Sequence, residues 1–139
     1  MALLVGFLFV AGLGVAHHFG ILCVRQCIPR LDANRHRSIL TAFMGLLILH
    51  TAEILAGAVF YAGIISADWF GQLGGSYQGS FDDLIYFSGM NFVTLGFTQM
   101  TTDGPIRMIS MMQSLGGFMI LTWSATFIYS VWQDAVKKA

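Results

Sequence analysis

Residues 82 to 93 form a mostly apolar run of about twelve, too short to cross the ~30 Å hydrocarbon core as a helix. The run leads directly into a polar, glycine-containing stretch, Thr94-Leu95-Gly96-Phe97-Thr98-Gln99. Both lie between apolar segments that are long enough to span. A short helix followed by irregular backbone is tolerated at membrane depth only where it is buried in protein or lines a water-filled path. The pattern predicts a re-entrant segment inside an all-α membrane protein. Carbonyl groups of such a stretch can replace an ion's hydration shell.

Composition supports a bilayer setting. Of the 139 residues 56% are hydrophobic and 10% charged, against roughly a quarter charged in a soluble domain. The formal net charge is zero, which gives no electrostatic footprint for nucleic acid. Cys23 and Cys27 are spaced Cys-x-x-x-Cys with no second pair. They are predicted to be reduced thiols on the cytoplasmic side rather than a zinc or redox pair.

Three full spans are expected, from about Ala2 to Val24, Ser38 to Ser66 and Ile106 to Trp132. A basic turn with Pro29 joins the first two. Asp68 to Gly79 reads as a glycine-rich surface segment whose Trp69, Phe70 and Tyr77 suit the water–lipid boundary. Arg25, Arg30, Arg35, Arg37, Lys137 and Lys138 lie in the first loop and the tail, and only Arg107 lies on the other side. The first loop and C-terminus are therefore expected in the cytoplasm, and the N-terminus and re-entrant segment outside. The outer side carries Asp68, Asp82, Asp83 and Asp103, acids that would concentrate cations. Asp82 is expected to cap the short helix, and Asp103 is open as a mouth residue.

Glu53 sits mid-span and needs a partner. His50, three residues earlier, is on the same helix face. The preferred reading is a brace, with Glu53 bonded to His50 or to Ser88 and Asn91 of the short helix. The alternative is a proton sensor working through histidine titration. His17 and His18 point about 100° apart on a helix, so only one could join His50 and Glu53. Metal or haem chemistry there is the weaker reading, and no metal ligand is assigned. Nucleophile–base sets, phosphate-binding loops and voltage-sensing arginine series are missing from the sequence. Neither an enzyme nor a voltage-gated protein is expected.

Tyr86 to Gln99 resembles, without a gap, the pore helix and filter of potassium channels, whose pattern runs YFSxxTxTTVGYGD. Tyr86, Phe87, Ser88, Thr94 and Gly96 match it, with Leu95 for Val or Ile and Phe97 for Tyr. Gln113-Ser114-Leu115-Gly116-Gly117 falls where that family has an inner-helix Glu-Ala-Leu-hydrophobic-Gly pattern. Trp123 to Phe127 and the His50-x-x-Glu53 pair resemble a subgroup of small bacterial ion-channel proteins with three spans and one pore loop. The likeness covers roughly residues 45 to 132.

The resemblance implies a first helix and loop over 1–37 and a pore domain over 38–139. The latter divides into an outer helix 38–66, a pore helix 82–93, a filter 94–99 and an inner helix 106–132. It implies a homotetramer in a cell membrane, plasma or inner, since one chain supplies one of four loops. The filter would be Thr94, Leu95, Gly96, Phe97 and Thr98 in extended backbone, with Gln99 at the mouth. Ser88, Asn91, His50 and Glu53 would support it. Gly116 or Gly117 would be either a gating hinge or a close helix contact. Bound species would be permeant potassium or sodium ions, with no other cofactor. Thr98 replaces the family's second filter glycine and Gln99 its Asp. A β-branched residue reaches that glycine geometry only at a cost, so weaker potassium-over-sodium discrimination is expected. The rival reading is a non-conducting scaffold or accessory membrane subunit that keeps the pore architecture.

Overall fold

The computed structural model describes residues 1–28, 35–96 and 99–137. Four helices and two short strands follow in the order α1 Ala2–Cys27, α2 Arg35–Ser66, β1 Gln72–Gly75, α3 Phe81–Phe92, β2 Met100–Asp103 and α4 Ile106–Lys137. Three of them, α1, α2 and α4, are long and apolar enough to cross a membrane. Of the basic residues used for orientation, Arg30 and Lys138 lie outside the described residues.

Each long helix runs a little past its expected limits. The helical backbone continues beyond the apolar run, so α2 starts at Arg35 and α4 reaches Lys137. The first helix stops where chemistry requires it. Ile28, with φ −71° and ψ 123°, is already extended, as the residue before a proline tends to be.

The bundle is built around α4, which packs against α1, α2 and α3. Three apolar clusters divide its length. Tyr61, Leu84, Phe87, Ile106 and Ile109 fill one end. Leu13, Phe92 and Ile120 lie at the middle, and Ile21, Leu46, Phe127 and Val131 fill the other end. Many outward side chains are apolar and exposed, among them Leu4, Leu8, Ile48, Val59 and Met119. Such a coat is expected where the surrounding solvent is lipid or another subunit.

The short helix α3 runs alongside α2 from its end toward its middle. Phe87 packs edge-on to Tyr61 with ring centroids 5.0 Å apart. One residue later the Ser88 hydroxyl donates to the Ile54 carbonyl at 2.8 Å. Phe92 then reaches His50, 5.7 Å between rings. His50 is sixteen residues from the α2 end at Ser66, or about 24 Å along the axis. On both sides of α3 the chain is held at the bundle end, because β1 and β2 pair antiparallel from Gln72↔Asp103 to Gly75↔Met100.

In this two-stranded clip, residues Gln72–Gly75 of the glycine-rich surface segment expected over Asp68 to Gly79 form a paired strand, which glycine content alone does not predict. The helix cap also differs. Ser80, not Asp82, caps α3: its hydroxyl accepts the Asp83 backbone N–H at 3.1 Å, while the Asp83 carboxylate accepts the Ser80 N–H. Asp82 sits within the first turn, where its charge suits the helix dipole. The Gln78 backbone N–H also donates to Asp83. That bond first, and then Ser80, holds the Asp83 carboxyl below the ordinary carboxylate range.

Candidate functional site

Three groups of residues converge near the inward end of α3. The first is the turn that ends it. Leu95 N–H donates to the Met90 carbonyl at 3.2 Å and Thr94 N–H to Asn91 at 3.1 Å. Together these form the paired closure that usually carries glycine at its left-handed position. Here that position is Thr94, at φ 58°. A β-branched residue there costs about 1–3 kcal/mol. Thr94 therefore does not begin an extended stretch as expected; it terminates the helix. Gly96 has the positive φ anticipated for it, 67°. Val93, Thr94, Leu95 and Gly96 are all exposed. Phe97 and Thr98 lie outside the described residues. Gln99 is exposed and is back at the clip, where its carbonyl accepts from Ser76 N–H at 3.2 Å.

The second group is a neutral, buried chain of hydrogen bonds. Tyr61 donates to Gln113 Oε1 at 2.8 Å, Gln113 Nε2 to the Ser88 hydroxyl at 2.9 Å, and Ser88 to Ile54. Tyr61, Ser88 and Gln113 are fully buried. Gly57 makes room for the chain: a β-carbon there would collide with Ser88 Oγ and Gln113 Nε2. Of the residues anticipated as supports, Ser88 is in this chain. Asn91 Nδ2 makes no well-formed bond, although it lies beside the Tyr61 hydroxyl.

The third group holds Glu53. Its two carboxylate oxygens meet Nδ1 of His17 at 2.9 Å and Nδ1 of His50 at 2.8 Å. The two imidazoles lie parallel, 8° apart, with centroids 5.5 Å from each other. Ser124 of α4 meets the other nitrogen of His17 at 3.3 Å. Glu53 is thus braced by His50, as expected, and by α1 rather than by Ser88 or Asn91. Of the two adjacent histidines His17 points inward, and His18 lies against Trp123.

Gly116 and Gly117 lie within the unbroken helix α4. A β-carbon at Gly116 would strike Val10 of α1, and one at Gly117 would strike the Phe92 carbonyl. Both glycines allow close approach.

Gln113, Tyr61, Gly57 and Ser124 are the participants that sequence reasoning did not assign. Gln113 was the detectable one, an amide well inside an apolar span. Compared with family models, curated proteins and solved structures, the chain gives no match. Its function rests on its own geometry.

Proposed function

We propose that the protein is a tetrameric channel for monovalent cations, with a potassium-channel-like pore in which α3 is the pore helix and the following residues form the filter. The observation that carries this reading is the exposure of Val93 to Gly96 about half-way along three apolar helices. Backbone at that level must be covered by protein, water or ions. Four copies around one axis cover it and form a path at the same time. The C-terminal end of α3 brings partial negative charge there, favourable to a cation. Strain at Thr94 fits a functional position, because surrounding structure must hold such a residue in place.

Thr94, Leu95, Gly96, Phe97 and Thr98 line the filter in this reading, and Gln99 lies at the mouth with the acidic end of the bundle. Ser88, Gln113 and Tyr61 hold α3 rigid. The N-terminus faces outside and the C-terminus the cytoplasm of a plasma or inner membrane, by charge placement. Passage is passive and potassium is favoured only weakly over sodium.

The test is the reversal potential of the purified protein in planar bilayers, with potassium on one side and sodium on the other. Cation current reversing near zero is the expected result. Reversal at the potassium equilibrium value would overturn the weak-selectivity part. Silence from a verified tetramer that becomes potassium-selective current with Thr98→Gly and Gln99→Asp would overturn conduction in favour of a scaffold.

A further inference from the structure

Glu53 is 4% exposed, and among the described residues of α1 and α2 the strong bases are far from it. Arg37 is sixteen residues away on α2, about 24 Å along the axis. Arg25 is eight residues from His17 on α1, about 12 Å. A carboxylate kept at this depth needs a cation beside it. What surrounds it is a set of donors. One ring nitrogen each of His17 and His50 and a Glu53 oxygen all lie within 4.8 Å of one another.

We propose that His17, His50 and Glu53 bind one divalent transition-metal ion of the zinc class per chain, clamping α1 to α2 beside the end of α3. Two imidazoles and a carboxylate with one position left open is a zinc-type donor set. The donors lie within reach of one ion once they turn toward it. Bonds of ~2.0 Å at tetrahedral angles put neighbouring donors about 3.3 Å apart. His17 Nδ1 and His50 Nδ1 lie 2.9 and 2.8 Å from different oxygens of Glu53, with their rings parallel, so binding requires the carboxylate and one imidazole to turn until the three donors face one point.

Two further observations point the same way. Metal-binding histidines are oriented through their second ring nitrogen, and His17 has such a partner in Ser124 at 3.3 Å, on a third helix. With the metal bound, Nδ1 of each ring is a lone pair and the ring hydrogen is on Nε2. His17 then donates to the Ser124 oxygen, and a hydroxyl accepts as readily as it donates. The cluster also borders open space. His50 and Ser124 line a groove of about 290 Å³ between α2 and α4, with Phe43, Leu47 and Leu121 on its walls. The inference concerns a clamp between helices and holds whether or not the pore conducts.

The experiment uses the full-length, tag-free chain carrying Cys23→Ser and Cys27→Ser, so that thiols contribute nothing. After loading with zinc and dialysis, elemental analysis is expected to give about one zinc per chain. Loading with cobalt(II) is expected to give the visible bands of a tetrahedral nitrogen–oxygen site, without a thiolate band. His17→Gln and Glu53→Gln should each weaken binding at least a hundredfold. Ser124→Ala, a positioning change, should weaken it about tenfold. His18→Gln should leave it unchanged. A wild-type cluster of helical, monodisperse protein that takes up neither metal would overturn the proposal and leave a proton as the neutralising cation. Binding that survives both His17→Gln and Glu53→Gln would overturn it equally, as an adventitious ion only. The cobalt spectrum of the unaltered cluster keeps the test decisive should a variant fail to fold.

Discussion

The bundle contains two buried polar networks that solve different problems. Tyr61, Gln113, Ser88 and the Ile54 carbonyl form a neutral chain that fixes α3 to α2 and α4. His17, Glu53, His50 and Ser124 form an ionisable one that fixes α1 to α2 and α4. A neutral chain needs only correct geometry. The ionisable one also needs charge balance, and removing one partner of a buried charge costs more than removing one neutral partner. The helix that ends beside the exposed Val93–Gly96 turn is thus held by groups whose bonding does not change with pH or metal supply.

The comparison gives a graded series. His17→Leu should destabilise most, by about 3–5 kcal/mol, because Glu53 is left half-paired. Adding Glu53→Leu should recover part of that loss, a non-additivity readable by denaturant titration in micelles. Gly57→Ala comes next, at about 1–3 kcal/mol, since its β-carbon must displace Ser88 and Gln113. Gln113→Leu should cost about 1–3 kcal/mol by stranding the Tyr61 hydroxyl, and Tyr61→Phe in the same chain should return most of it. If His17→Leu proves no worse than Gln113→Leu, the charged character of the first network is immaterial and the contrast collapses.

The smallest effect is at the solvent-facing start of α3. Ser80→Ala should cost about 1 kcal/mol, seen as a lower unfolding midpoint. Asp83 titrates lower in the folded state than when unfolded. Its stabilisation is therefore present above the unfolded carboxyl's pKa and lost as pH falls through the folded one. Hydrogen exchange of the first α3 turn should speed up on acidification, and Asp83→Asn should remove that dependence.

Much of this was legible in the sequence because it is local. Run length and hydropathy mark α1, α2 and α4, and the shortness of 82–93 marks α3. His50 and Glu53 share a face by spacing alone, and the 100° offset between His17 and His18 already limits the cluster to one of them. Ser80-Phe81-Asp82-Asp83 also carried a readable capping pattern, and Ser80 rather than Asp82 fills it. What was hidden depends on contacts between distant segments. Ser124 meets His17 across 107 residues and Gln113 meets Tyr61 across 52. Gln-Leu-Gly-Gly carries little strand propensity and Met-Thr-Thr-Asp has only its two threonines in favour of a strand, so their pairing had a weak local signal.

The adjacent glycines of α4 have a mechanical consequence. Consecutive helix positions face about 100° apart, so Gly116 and Gly117 cut two flats at one level of the same shaft. Val10 of α1 seats on the first and the backbone of Phe92 on the second. Rotation of α4 about its own axis would drive a bulkier neighbour into both seats, which keys the shaft against turning. The glycine pair therefore sets the rotational register of α4 against α1 and α3 at this level, while Phe127, Val131 and the Ser124–His17 contact hold its far half.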